Sequence, residues 1–271
     1  LKTLSTIQAT SALQIQLHGD YFHNKWAYST PLVRLMQYPM TRFIKTADSI
    51  RVVSSRIEKK VKRINTNITT IPIYTGLETF KTTQKINLPG NPRFLFVGRL
   101  EREKNTGFLI RTFAQFNAKH PKASLTIVGD GSERKKLTRL TDRLALADKV
   151  HFTGKTDPAP YYKSATALII PSLYEGWGLV AIEAAAAGCP VIMSDVGCSG
   201  EIIIHNKSGL VFPINNTARL LDCMQKITNK TLAKKLSLEA LKRVMLLPSE
   251  KQTLQKLVHS WKNSVAKAKK Q

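Results

Sequence analysis

From residue 93 onward, short apolar runs rich in β-branched residues alternate with longer stretches whose apolar residues recur three and four positions apart. The first pattern predicts buried strands, and the second predicts amphipathic helices. The predicted strands are 93–98, 123–129, 149–154, 166–172, 190–195 and 209–213. The predicted helices are 105–119, 133–145, 158–164, 178–188, 216–228 and 231–245. This alternation is typical of a parallel sheet covered by helices on both faces, a Rossmann-like α/β domain.

The first 80 residues show a shorter version of the same pattern. Strands are predicted at 12–17, 49–54 and 67–73, and helices at about 30–46 and 55–63. These elements resemble the second half of another α/β domain whose first half is not in the sequence. The chain also begins at Leu1 instead of a methionine, so we expect an N-terminal truncation.

The polar segment KTTQKINLPGNP at 81–92 contains glycine and proline and predicts a linker, with a domain boundary near residue 82. Pro248 and Ser249 begin another helix. Its apolar residues recur at helical spacing and predict a packing face: Leu254, Leu257, Val258 and Trp261. The expected divisions are an incomplete first domain, a complete Rossmann-like domain and a C-terminal helix, at 1–82, 83–247 and 248–271.

The chain is strongly basic, with 42 Lys and Arg against 18 Asp and Glu and a formal net charge of +24. This excess favours an anionic partner: nucleic acid, acidic lipid headgroups or small molecules that carry phosphate. The segments 51–63 and 262–270 are basic and helix-like, which suits either a surface against anionic lipid or an ordinary solvated helix face. Neither segment interleaves aromatic residues with arginine, so the pattern disfavours nucleic-acid binding.

Three cysteines, Cys189, Cys198 and Cys223, cannot pair completely and lack the spacing of metal ligands. They indicate structural thiols in a reducing compartment, which favours a cytoplasmic protein. No apolar run approaches the roughly 18 residues that a membrane-spanning helix needs.

Two loops follow predicted strands and carry candidate chemistry. In VGRLEREKN at 97–105, Arg99 and Lys104 come after the strand end at Gly98. In an open parallel sheet ligands bind at the carboxyl ends of strands, so the two cations suit a diphosphate. Both are equally well explained as ordinary surface cations. The turn IVGDGSE at 127–133 is a weaker signal, because it lacks the spacing of a dinucleotide-binding motif.

The stretch PSLYEGWG at 171–178 is more specific. Gly176 and Gly178 allow a ligand to approach the backbone closely, and the helix that follows would offer free amides to an anion. Glu183 lies five residues into that helix, where a carboxylate can accept hydrogen bonds from a vicinal diol such as a ribose. Glu175 lies just ahead of the helix.

Five motifs in register resemble the retaining glycosyltransferases of the GT-B fold, in glycosyltransferase family 4 (glycosyl transferases group 1). They are FVGRLEREKN, LTIVGDG, VHFTGK, ALIIPSLYEGWGLVAIEAAAAGCPVIMSDVGCSGEII and SGLVFP, all within 93–215. The segment 12–80 resembles more loosely the later part of the family's acceptor domain. The resemblance implies two Rossmann-like domains facing a cleft, with the first one incomplete and the C-terminal helix crossing back to it.

Carried over to this sequence, the resemblance implies that Arg99 and Lys104 bind the donor's diphosphate, Glu175 the transferred sugar and Glu183 the ribose. His18, at the end of a first-domain strand, would face the sugar. The remaining residues implied in donor binding are Gly98, Gly129, Gly154, Lys155, Gly176, Trp177, Gly178, Leu179 and Val180. Trp177 stands where phenylalanine is common in similar proteins.

The implied reaction moves a hexose or N-acetylhexosamine from a nucleotide-diphosphate sugar to a saccharide or lipid-linked acceptor, with retention of configuration. The sequence contains no D-x-D pair, so Arg99, Lys104 and the helix N-terminus would stabilise the leaving diphosphate without a metal or other cofactor. We expect a role in cell-envelope polysaccharide or glycolipid synthesis, at the inner face of the membrane. The alternatives are a truncated or inactive nucleotide-sugar-binding protein and, less favoured, a nucleic-acid-binding protein.

Overall fold

A computed structural model describes residues 12–19, 41–73, 76–77, 80 and 90–269. The strands are β1 Gln14–Leu17, β2 Ser49–Val52, β3 Ile68–Thr70, β4 Arg93–Val97, β5 Ser124–Val128, β6 Val150–Gly154, β7 Ala167–Ile170, β8 Val191–Ser194 and β9 Leu210–Phe212. The helices are α1 Ser55–Val61, α2 Thr106–Lys119, α3 Arg134–Arg143, α4 Ala159–Ser164, α5 Leu179–Ala186, α6 Thr217–Ile227, α7 Lys230–Met245 and α8 Glu250–Ala268. A short 3₁₀ helix, Arg102–Lys104, precedes α2.

The chain divides into two compact units. The first unit comprises Leu1–Tyr74, Tyr174–Trp177 and Pro248–Gln271, and the second comprises Thr75–Leu173 and Gly178–Leu247. The predicted boundary near residue 82 lies outside the described residues. Most of the predicted helix 30–46 also lies outside them, and its last residues, 41–46, are helical.

The first unit contains a three-stranded parallel sheet in the order β1-β2-β3. Strand β2 is buried on both faces, as expected for the central strand of a covered parallel sheet. Helix α1 begins at a cap in which Ser54 accepts a hydrogen bond from the Ile57 amide, and it buries Ile57 and Val61. The three strands that the pattern predicts in this part of the chain are therefore confirmed.

The basic segment 51–63 is divided between two elements, in agreement with the predicted strand 49–54 and the predicted helix 55–63. Arg51 belongs to β2 and is buried, and its guanidinium donates to Gln16 Oε1 over 2.8 Å. Helix α1 begins only at Ser55, because the preceding β-branched residues extend the central strand.

Helix α8 has the reverse of the packing that its apolar spacing predicts. Its N-terminus carries a capping box between Ser249 and Gln252. The face that it buries is small and polar, formed by Thr253, Ser260 and Ser264. The apolar residues Leu254, Val258, Trp261 and Val265 are exposed. The reason lies in β1: the Gln14 amide bonds with the hydroxyl groups of Ser260 and Ser264, at 2.8 and 3.1 Å.

The second unit is built on a six-stranded parallel sheet in the order β6-β5-β4-β7-β8-β9. All six strands predicted for this region are confirmed. Since β4 comes first in the chain and lies between β5 and β7, the strand order reverses at this point. Such a reversal opens a crevice at the carboxyl ends of the two central strands, where ligands of open α/β sheets bind.

Helix α5 fits tightly against the sheet because its buried residues, apart from Ile182, are alanines with small side chains. Ala181 and Ala184–Ala186 are fully buried, and the helix packs on β7, β8 and α7. The three cysteines are buried and form no disulfide with one another, and burial raises the pKa of the Cys189 thiol to about 12. Within the described ranges, none of the helices is long and apolar enough to cross a membrane.

Candidate functional site

The loops that follow β4 and β7 lie at the strand-order reversal and are tied together. The Leu173 amide donates to the Glu103 carbonyl over 2.8 Å. The side chain of Asn105 donates to the Pro171 carbonyl over 3.2 Å and to Asn215 Oδ1 over 2.8 Å. The two loops that carry the predicted donor-binding residues therefore form one hydrogen-bonded framework at the mouth of the crevice.

Helix α5 begins at this mouth with backbone amides that precede its helical hydrogen bonds. Gly178 is its N-cap and has φ +87°, a left-handed conformation that L-residues with side chains rarely adopt. Within the described part of the chain, no side chain caps this terminus. The Ala181 amide bonds back to the Gly178 carbonyl, so the amides before it, at Leu179 and Val180, precede the helical ladder. This end of the helix suits an anion.

Arg99 and Lys104 lie in the loop after β4, as the sequence predicts. The Arg99 side chain is 73% exposed, and its Nη2 lies 3.1 Å from Glu103 Oε1. An ion pair that is open to water contributes little energy, so an anionic ligand can replace Glu103 at this guanidinium. Lys104 ends the 3₁₀ helix and is half-buried.

The buried Tyr162 and the half-buried Glu183 form a hydrogen-bonded pair that sequence reasoning missed. The Tyr162 hydroxyl donates to Glu183 Oε2 over 2.9 Å. Burial raises the pKa of Glu183, and the hydrogen bond from Tyr162 opposes that rise. Burial also raises the pKa of Tyr162 well beyond its ordinary range, so its hydroxyl stays a donor. The sequence offered one signal. Tyr161 and Tyr162 are adjacent in the short helix α4, so they point to different sides of it and one of them is expected to face inward.

The carboxyl ends of the neighbouring strands β4, β5 and β6 lie close together, and Gly129 lies between Gly98 and Gly154. The Gly129 amide donates to the Gly154 carbonyl over 2.8 Å. A Cβ atom at Gly129 would lie 1.9 Å from the Gly98 carbonyl oxygen, so only glycine fits there. Lys155 follows as an exposed residue. The predicted base-binding residues are thus brought together.

A second feature that sequence reasoning missed holds the turn after β5 in place. Glu101 accepts two hydrogen bonds from Ser132, one from its amide at 3.0 Å and one from its hydroxyl at 2.7 Å. These bonds lower the pKa of Glu101, which keeps the carboxylate ionised. Nothing in the spacing of the two residues signals the pair, since 31 positions separate them.

The remaining predicted site residues group with the first unit: His18, Glu175, Gly176 and Trp177. A Cβ atom at Gly176 would lie 1.8 Å from the His18 carbonyl oxygen, so the backbones of these two residues are in direct contact. Burial, followed by the positive charge of Arg51, lowers the pKa of His18 and favours its neutral imidazole. Trp177 is buried, and its Nε1 has no hydrogen-bond partner among the described residues. Glu175 is half-buried.

Comparison with known proteins places these features in a family. The family model described as glycosyl transferases group 1 matches residues 79–243. The glycogen synthase of Mycobacterium tuberculosis is 27% identical over 237 residues, which are 85% of this chain and 55% of that protein. The chain spans about half the length, or less, of the curated relatives that it matches.

Solved structures show the same architecture. Sucrose-phosphate synthase from Thermosynechococcus elongatus superimposes with a TM-score of 0.80 at 28% identity, covering 93% of this chain and 68% of that chain. Anabaena HepE in complex with UDP-glucose superimposes with a TM-score of 0.77 at 18% identity, covering 93% and 72%. The parallel sheets, the glycine-bounded loops and the family match agree, and the chain belongs to the glycosyl transferases group 1 family and has the GT-B fold.

Proposed function

We propose that the protein is a glycosyltransferase that moves a sugar from a nucleotide-diphosphate sugar to a saccharide or lipid-linked acceptor. The strongest support for this proposal is the arrangement of helix α5. The uncapped N-terminus of α5 opens at the strand-order reversal, and Glu183, on the same helix, is held there by Tyr162. An anion site and a diol-binding carboxylate are thus presented by a single rigid element.

The spacing along α5 suits one nucleotide. Glu183 lies five residues after Gly178, which is about 7.5 Å along the helix axis at about 1.5 Å per residue. A phosphate at the first amides and a ribose at Glu183 would therefore engage adjoining parts of the same donor. In this arrangement Gly98 and the amides of Leu179 and Val180 border the diphosphate. The residues proposed to border the base are Gly129, Gly154 and Lys155.

The charge that develops on the leaving diphosphate defines the chemistry that the protein must supply. We assign its stabilisation to Arg99, Lys104 and the N-terminus of α5, because preorganised donors and cations act strongly in a partly dry site. Glu175 and His18 are proposed to contact the transferred sugar, and Gly176 and Trp177 to shape the same loop. Arg99 and Lys104 replace the role of a metal, so we expect activity to survive a metal chelator.

The finer assignments belong to the same proposal. We place the protein in glycosyltransferase family 4, with retention of configuration and a nucleotide sugar as its only required small molecule. Residues 1–82 would bind the acceptor, 83–247 the donor, and 248–271 would complete the first domain. We expect a role in cell-envelope polysaccharide or glycolipid synthesis, in the cytoplasm at the membrane, where buried free thiols such as Cys189 stay reduced.

A thermal-shift screen against UDP-, GDP- and ADP-glucose tests the donor site. A ligand at 100 times its dissociation constant stabilises the folded state by about 2.7 kcal/mol, which is a shift of several degrees. We expect one nucleotide sugar to stabilise the wild-type protein and Glu183→Gln to lose most of that shift. Glu133→Gln is the matched control, since Glu133 pairs with Lys136 on α3 and should respond like wild type.

The outcome that rejects the donor site is equally clear. If no nucleotide sugar stabilises the protein, or if Glu183→Gln responds like wild type, the assignment of α5 fails. Release of nucleoside diphosphate in the presence of saccharide acceptors is measured separately. Binding without release would identify a nucleotide-sugar-binding protein in place of an enzyme.

A further inference from the structure

Helix α7 carries a basic groove that the donor site does not use. The groove has a volume of about 850 Å³ and lies between α7 and the loop that precedes β9. Six cations and one carboxylate line it. The cations are Lys207, Lys230, Lys234, Lys235, Lys242 and Arg243.

The carboxylate does not neutralise this groove. Glu239 lies 3.8 Å from Lys242 and 3.5 Å from Arg243, so its charge is already shared by two cations. Lys207, Lys230, Lys234 and Lys235 form no ion pair with any described residue. Lys230 and Lys234, four positions apart on one helix, repel each other, and an anionic partner relieves that repulsion.

The same face of α7 exposes large apolar side chains. Leu238 is 41% exposed, Met245 54% and Leu246 85%. Met245 and the C-cap residue Leu246 follow Leu238 by seven and eight positions, so they lie on the outer side of the helix. Lys234 and Lys242 lie on the same side. The opposite side packs against the protein through Ala233, Leu236, Ala240 and Val244, which are all buried.

We propose that this basic face of α7 is a docking surface for a bilayer that contains acidic phospholipids. Interfacial helices combine lysines that meet the headgroups with apolar residues that enter between them. A soluble phosphate would need the cations but not exposed leucines. Single-stranded nucleic acid would need aromatic side chains to stack on the bases, and none of the described residues that line the groove is aromatic.

This surface differs from the basic segments that the sequence suggested for lipid contact, 51–63 and 262–270. It lies wholly within the second unit, and it does not depend on the proposed transferase activity. The signal in the sequence was the run KTLAKKLSLEALKR at 230–243, whose lysines fall on the unburied side of a helix.

Vesicle co-sedimentation of the full chain tests the proposal. We expect binding to phosphatidylcholine vesicles that contain about one third phosphatidylglycerol, and none to phosphatidylcholine alone. Each lysine near an anionic surface increases membrane partitioning of a protein about fivefold. The double variant Lys234→Glu with Lys235→Glu should therefore bind these vesicles more than about twentyfold more weakly than wild type. Leu246→Gln, which keeps the charge, should weaken it about fivefold.

A matched charge reversal on another surface provides the control. Lys135→Glu with Arg139→Glu, both at exposed positions of α3, gives the same net charge and should bind nearly as wild type does. The wild type failing to bind acidic vesicles would overturn the proposal. Equal losses in the two double variants would show that net charge alone attracts the protein. Insensitivity to Leu246→Gln, with displacement by pyrophosphate or RNA, would assign the groove to a soluble anion.

Discussion

Replacing Tyr162 with phenylalanine removes one hydroxyl group and leaves a buried ring in place. The side chain is 1% exposed, and its hydroxyl donates to Glu183 Oε2 over 2.9 Å. A hydrogen bond to an ionised group contributes about 1.5–3 kcal/mol, against about 0.5–1.5 kcal/mol between neutral groups. We therefore expect Tyr162→Phe to lower the free energy of unfolding by about 2 kcal/mol at neutral pH.

The pH dependence of this loss follows from the pKa of Glu183. Burial raises that pKa in the folded state, so the contribution of Glu183 to stability falls as pH rises from its ordinary pKa through the folded pKa. The Tyr162 hydrogen bond holds the folded pKa down, and the variant lets it rise further. The stability difference between the two proteins should be smallest in acid, where the carboxyl group is protonated in both, and should grow towards neutral pH.

Urea unfolding followed by tryptophan fluorescence, at a series of pH values, measures this difference. Tyr161→Phe is the matched control, because the neighbouring hydroxyl of Tyr161 has no hydrogen-bond partner among the described residues. Donor affinity, from the nucleotide-sugar thermal shift, should fall in Tyr162→Phe alone. An unchanged free energy of unfolding at neutral pH, or a loss that does not vary with pH, would refute the idea that Tyr162 supports an ionised Glu183.

Two further substitutions test the loops around the crevice. Gly129→Ala should destabilise the protein by more than about 3 kcal/mol in urea unfolding, because its Cβ would meet the Gly98 carbonyl oxygen at 1.9 Å. Gly107→Ala is its control and should be neutral or slightly stabilising, since its Cβ would make only ordinary contacts; equal losses would contradict the packing argument. Asn105 has φ +56° and ties the two loops, so Asn105→Ala should lower stability by about 1–3 kcal/mol and weaken donor binding. Asn105→Gly relieves the conformational cost but loses the same hydrogen bonds; if it kept wild-type donor binding, those bonds would not organise the site.

The alternation of strands and helices in the second unit could be predicted from the spacing of apolar residues. Buried strands show short continuous apolar runs, whereas amphipathic helices bury residues three and four positions apart. Strand β7 and helix α5 show this clearly: a β-branched apolar run ends at Pro171, and a small-residue helix begins after Gly178. The same local reasoning placed Arg99 in the loop after β4 and Glu183 in the helix that follows the carboxyl end of β7. It works because parallel strands present those ends on one edge of the sheet.

Other features depended on residues far apart in the chain. Spacing predicted an apolar packing face on α8, yet the Gln14 amide, nearly 250 residues away, selected the face that carries Ser260 and Ser264. Tyr162 reaches Glu183 because α4 packs on β4 and α5 packs on β7, and these two strands are neighbours in the sheet. Residue order reveals which positions share a face of one helix or strand. Only the packing of the elements decides which face of a helix is buried and which side chains contact that face. The reason is that the hydrogen-bond partner or the close backbone contact comes from another part of the chain.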